Sequence, residues 1–194
     1  MQKQIILIRH AESIGNAGKR TTNPAGNHLT EKGRTQAALF ASSINEAPDL
    51  IAWSSYPRTK ETASPLAKKF PDTPAGEWPD IQEFTYLSPV KCFNTTTEER
   101  RPMVVSYWNN MDPDYRDGDG AESFADMIER ARKLIKNARE RPERIIMIFT
   151  HGQFMEAIRI ILKHPDATPL ELMRLFNDNE RGKTIRNCET LEIT

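Results

Sequence analysis

Residues 5–13 read IILIRHAES, with four apolar residues running directly into Arg9 and His10. A short, β-branched run of this kind is read as a strand buried on both faces, as in the interior of a parallel sheet. Two basic side chains at its end mark either the place where the strand surfaces or the start of a reaction site. The remainder of the chain decides between the two.

After IILI comes a polar stretch, 16–28, read as an ordered loop. Thr30 is placed to cap a helix over LTEKGRTQAALFASSI, with Ala37, Ala38, Ala41 and Ile44 near one face. Pro48-Asp49 breaks it, and LIAWSS (50–55) is a second strand. Ser54 or Ser55 is expected to cap the next helix, PRTKETASPLAKKF, with Pro57 in its first turn and a kink or early end at Pro65. A Pro-rich segment, 71–79, leads to a brief strand near DIQEF (80–84). Residues 97–111 are expected to be helical despite Pro102. Residues 122–141 are read as an amphipathic helix with Phe124, Met127, Ile128, Ala131, Leu134, Ile135 and Ala138 on one side. RIIMIF (144–149) is a strand, HGQFMEAIRIILKH and TPLELMRLFND are helices, and CETLEIT (188–194) is a terminal strand.

Strands and helices therefore alternate, which predicts an α/β fold in three layers, a mostly parallel sheet with helices on both faces. Ligands of such sheets sit beyond the carboxyl ends of the strands. Three predicted strands end there in reactive groups: Arg9 and His10, then Ser54, Ser55 and Arg58, then His151-Gly152. Two guanidinium forks match phosphate oxygens, and an imidazole can serve as nucleophile. Asn16 adds a neutral donor. Gly152 lets a helix N-terminus bring backbone N–H groups close to an anion. Together these residues predict a phosphate site in which a histidine can serve as nucleophile.

The same residues resemble a known family. RHAESIGN resembles the R-H-G-x-[S/T]-x-x-N signature of the histidine phosphatase superfamily, the phosphoglycerate mutase-like proteins. LTEKGRTQA, WSSYPRTKETA, GAESF and THGQ resemble its further motifs, in the family's order. The resemblance implies the phosphoglycerate mutase-like fold and gives His10 the role of nucleophile. It gives Arg9, Arg58 and His151 the grip on phosphate, with help from Asn16. The family's acid–base carboxylate matches Glu83, beside Ile81 and Phe84, where burial would raise its pKa. Two departures stand out. Ala11 replaces the family's glycine, which requires a negative φ there. FTYLSP after Glu83 lacks a downstream glycine, which leaves Glu77, Asp80, Glu98 and Glu99 open as alternative acids. Arg100-Arg101 resembles a substrate-gripping pair of some members, but it is read as a solvated helix face. Lys19 and Arg20, like His28 and His164, are read as solvated.

Composition bounds the rest. A length of 194 residues is read as one domain over 1–194, and 38% hydrophobic with 28% charged residues reads as globular. Lys plus Arg equal Asp plus Glu at 27 each, so no global field favours nucleic acid or membrane. Cys92 and Cys188 form no CxxC, no apolar run reaches membrane length, and the reading is a cytoplasmic protein without metal or other cofactor. The expected activity is metal-independent hydrolysis of a phosphomonoester, small molecule or phosphopeptide, through a phosphohistidine on His10. The alternatives are phosphoglycerate mutase-type transfer and a non-catalytic phosphate-binding regulatory module. Nothing in the sequence sets the oligomeric state. Aromatic and apolar residues in the 84–119 segment, Phe84, Tyr86, Leu87, Phe93, Tyr107 and Trp108, are candidates for a leaving-group pocket or for core.

Overall fold

A computed structural model describes residues 3–179, 181 and 185–193. Strand β4 (Ile145–Thr150) is buried at every position, as its uninterrupted apolar sequence requires of a central strand. It lies between β1 (Gln4–Arg9) and β2 (Leu50–Trp53), parallel to both. β3 (Ala75–Glu77) extends the sheet parallel to β2, and β5 (Thr190–Glu192) closes the other edge antiparallel to β1.

Alternate side chains of these strands go to opposite faces. Ile8, Ile51, Met147 and Phe149 meet Ala41 of α1 (Glu31–Ser43) and Ala63 and Leu66 of α2 (Pro57–Lys69). Leu7, Ala52, Ile146 and Ile148 face the larger core beneath α5 (Phe124–Glu140), α6 (Gly152–Lys163) and α7 (Pro169–Asp178). Full burial of one such aliphatic side chain contributes about 1.5–3 kcal/mol. Two further helices, α3 (Pro89–Cys92) and α4 (Thr97–Asn110), lie in the connection between β3 and α5. No helix among the described residues is long and apolar enough to cross a membrane.

The three-layer architecture is the one expected, and several boundaries follow the expected physics. The Thr30 hydroxyl accepts the Gly33 N–H at 3.0 Å and starts α1. Gly33 is required by packing: a Cβ there would lie 2.0 Å from the Glu12 carbonyl oxygen. α5 begins at Phe124, two residues later than predicted, because Ser123 and Asp126 form a capping box.

Four expectations are corrected. The strand placed near residues 80–84 lies instead at Ala75–Glu77; Pro79–Ile81 is a 3-10 turn whose carbonyls go to side chains of α5 and β4 rather than to a ladder. α2 runs through Pro65 to Lys69, held on the sheet by buried Thr59, Thr62, Ala63 and Leu66, so the ring ends nothing. Neither Ser54 nor Ser55 is its N-cap; that position is Tyr56, without a side-chain cap. Of the predicted terminal strand only Thr190–Glu192 is strand, because Cys188 takes a left-handed φ of 59°. Thr194 lies outside the described residues.

Candidate active site

The register of the three central strands assembles the site. Arg9 pairs with Thr150 and Trp53 with Phe149, so the residues just past each strand end converge. The His10 N–H donates to the Thr150 carbonyl at 3.0 Å, and the Ser54 N–H to the Phe149 carbonyl at 3.3 Å. His10 and His151 are 3% and 0% exposed, with their ring centroids 5.2 Å apart.

The partners of His10 fix its tautomer. Nδ1 lies 2.7 Å from the Ala11 carbonyl oxygen, which can only accept, so Nδ1 carries the proton. Nε2 faces the Arg58 Nε–H at 3.1 Å, which can only donate, so Nε2 holds a lone pair. Burial first, then the positive charge of Arg58, hold the His10 pKa well below its ordinary value; Arg9 acts in the same direction but more weakly. The surroundings thus keep the imidazole neutral, with the lone pair on Nε2 that a nucleophile requires.

His151 takes the complementary tautomer. Its Nδ1 accepts from Arg58 at 3.2 Å, which leaves Nε2–H to donate to the Ser54 hydroxyl at 2.8 Å. Ser54 donates its own hydrogen to the Thr59 hydroxyl at 2.9 Å, and Thr59 donates to the Tyr56 carbonyl at 2.8 Å. Ser54 is thus committed to orienting an imidazole. Burial and Arg58 keep the pKa of His151 low as well.

Arg58 is 6% exposed, and burial brings its pKa down to about 10. Its remaining donor reaches the Pro24 carbonyl at 2.8 Å, which ties the 16–28 loop to the site. Arg9 bonds the Ile185 carbonyl, and its buried Nε has no hydrogen-bond partner among the described residues. That guanidinium lies across Gly152, where a Cβ would sit 3.1 Å from the Arg9 Nε and press that side chain aside by a few tenths of an ångström.

Glu83 turns its carboxylate onto the N-terminus of α6. Oε1 accepts from the Phe84 and Phe154 N–H groups at 3.0 and 3.2 Å, and Oε2 from Gln153 at 3.4 Å. Burial raises its pKa; these N–H groups, Arg58 and Arg9 pull the other way, and the net direction is upward. The four alternative acids are engaged or placed elsewhere. Asp80 pairs with Lys133, Glu98 with Arg101, Glu99 caps α4 and pairs with Arg20, and Glu77 is exposed on β3.

The structure brings Arg9, His10, Arg58, His151, Gly152 and Glu83 together. Asn16 stands at the edge. Its Oδ1 takes the Ser13 N–H and hydroxyl, both at 3.2 Å, and the Asn187 amide at 3.3 Å, and its NH₂ bonds none of the described residues. Asn187, which no motif or periodicity singles out, also donates to the His10 carbonyl at 2.8 Å. Ala11 keeps a negative φ and packs against Leu29 and Ala37. His28 bonds Glu61, and His164 ends α6 at the surface. Of the candidate pocket residues, Phe84, Tyr86 and Leu87 line a cavity of about 860 Å³ that opens beside Arg58 and Glu83. Tyr107 and Trp108 are core, and Phe93 is 64% exposed. Arg100 lines the same cavity, whereas Arg101 points away to Glu98, so the pair is split.

The model of the histidine phosphatase superfamily (branch 1) matches residues 5–182. The chain belongs to this family. Among its relatives, a metal-independent phosphoserine phosphatase of Arabidopsis thaliana is 28% identical over 159 residues, covering 80% of this chain and 66% of that protein. A probable phosphoglycerate mutase GpmB of Erwinia tasmaniensis is 25% identical, with 98% of this chain and 84% of the relative covered. The solved structure of a phosphoserine phosphatase from Entamoeba histolytica with 3-phosphoglyceric acid superposes with a TM-score of 0.70. It is 19% identical, and 97% of this chain and 89% of that one are covered. Several curated relatives are matched over about two thirds of their length or less.

Proposed function

We propose that this member of the histidine phosphatase superfamily hydrolyses small phosphomonoesters without a metal, through a phosphohistidine on His10. The observation that carries this reading is the lone pair on His10 Nε2, fixed by the Ala11 carbonyl on one side and Arg58 on the other. Nε2 attacks phosphorus as the bond to the leaving oxygen breaks, and the protonated Glu83 delivers its proton to that oxygen. The carboxylate of Glu83 then takes a proton from water, whose oxygen displaces His10 from phosphorus. Neutral His10 and protonated Glu83 are regenerated, with inorganic phosphate and an alcohol as products. Arg9, Arg58, the Asn16 amide and the Gly152 N–H hold the charge on the equatorial oxygens, and His151, whose N–H is committed to Ser54, orients Arg58 beside them.

The phosphoserine phosphatase relative supports a small phosphorylated acid or alcohol as substrate. His10→Ala is expected to bring turnover of an aryl phosphate to background, and wild-type protein quenched in alkali should hold acid-labile phosphate on His10. Undiminished turnover by this variant would sink the reading. A second reading, mutase-type transfer, is favoured by the probable mutase matched over nearly the whole chain. Free phosphate released from 3-phosphoglycerate, without isomerisation, separates hydrolysis from transfer.

A further inference from the structure

We infer that Arg130 and Thr150 are positioning residues for Glu83, gripping the backbone on which the acid–base carboxylate sits; this rests on the role proposed for Glu83. Three consecutive carbonyls precede that residue, and side chains hold all three. Arg130 donates to the Asp80 and Gln82 carbonyls at 2.9 and 3.0 Å, and the buried Thr150 hydroxyl donates to the Ile81 carbonyl between them at 2.7 Å.

The rest of Arg130 is committed to the same neighbourhood. Its Nε and second terminal nitrogen form a two-point fork on Glu122, each bond 2.8 Å, and the two side chains are only 10% and 16% exposed. The Glu122 N–H in turn donates to the Thr85 carbonyl at 2.8 Å, so the segment is held on the far side of Glu83 too. The guanidinium also lies over the Phe154 ring, 4.4 Å from its centroid, and the Phe154 N–H is a donor to the Glu83 carboxylate. Arg130 therefore reaches Glu83 along the chain and through the helix terminus that binds it. A lysine has neither the fork nor the span to make these contacts at once.

Neither residue touches the phosphate, so the expected signature is selective. A general acid matters for a poor leaving group and little for a good one. Arg130→Lys and the near-isosteric Thr150→Val are to be compared with Glu83→Gln on an alkyl phosphate and on 4-nitrophenyl phosphate, reading kcat/KM, with circular dichroism to show that each is folded. Both positioning variants are expected to lose about tenfold more on the alkyl ester than on the aryl ester. Equal losses on the two esters in the folded variants, while Glu83→Gln discriminates, would overturn the inference alone. Equal losses in Glu83→Gln itself would instead overturn the acid role of Glu83. Thr150→Val keeps the test decisive if Arg130→Lys does not fold.

Discussion

Arg58, buried, and Arg130, only 10% exposed, lie at the same end of the sheet, and they are treated in opposite ways. Arg130 meets a carboxylate in a two-point fork and caps two carbonyls, so its charge is matched inside the protein. Arg58 is given two imidazole lone pairs and backbone carbonyls of the 16–28 loop, with no carboxylate in ion-pair contact among the described residues. A cation kept from water without a counter-charge is costly, and the fall of its pKa to about 10 expresses that cost. One arginine belongs to the architecture. The other is left with an unmatched charge that a phosphate dianion would neutralise.

The sharpest way to break this contrast is to remove each arginine. Arg58→Leu is expected to lower kcat/KM on the order of 10²–10³-fold or more, because it removes donors that the proposed function directs at the transferring phosphoryl group. Its thermal stability should match or exceed that of the wild type, since an uncompensated buried charge is gone. Inorganic phosphate should raise the melting temperature of the wild type and not of this variant. Arg130→Ala should do the reverse to the fold, costing about 3–5 kcal/mol in urea denaturation by stranding Glu122. Equal stability losses at the two positions would erase the distinction drawn between them.

Proton linkage sharpens the same comparison, with smaller effects. The folded-state pKa values of His10 and His151 lie well below about 6.5, so the native state binds fewer protons there than the unfolded chain. Their contribution is present above that value and is lost as the pH falls below it, which urea titrations at pH 7.5 and 5.5 would record. Glu83 has the opposite sign, with its pKa raised, so its contribution is present in acid and lost as the pH rises through the folded value. In catalysis the same two directions give kcat/KM an alkaline fall as Glu83 ionises, while His10 stays neutral across the neutral range. Glu83→Gln should abolish that alkaline limb on an aryl phosphate; a limb that survives would assign it to another group.

The strand-end residues are legible in the sequence because each follows an apolar run whose burial can be read directly. Arg9, His10 and His151 are visible in this way, Arg58 needs the preceding serines and the family likeness as well, and parallel pairing with β4 in the middle brings them together. Family likeness places Glu83, but its local strand is misread, because the carbonyls before it are taken by Arg130 and Thr150, residues far along the chain. The work of Ser54 is hidden for a related reason. A serine before a helix looks like a cap, and only the position of His151 shows where its hydroxyl is directed. Asn187 lies in a polar segment without periodicity, and its bond to the His10 carbonyl depends on β5 returning beside β1. Residues whose partners are distant side chains escape pattern reading, whereas residues at the ends of buried strands do not.

Ala11 is the departure from the family signature with the smallest expected effect. Its backbone is engaged on both sides: the carbonyl accepts from His10 Nδ1, and the N–H donates to the Thr62 hydroxyl at 3.0 Å. Thr62 is in turn held by the Arg58 carbonyl at 2.6 Å, so the atoms that set the tautomer of His10 belong to the main chain. The methyl group has a different task, packing with Leu29 and Ala37 where α1 meets the loop. Ala11→Gly should therefore leave kcat/KM unchanged and cost about 1 kcal/mol in urea denaturation, from lost packing and added freedom in the unfolded chain. A variant that kept its stability but lost turnover would show that the Cβ, and not the hydrogen bonds of the main chain, holds His10 in place.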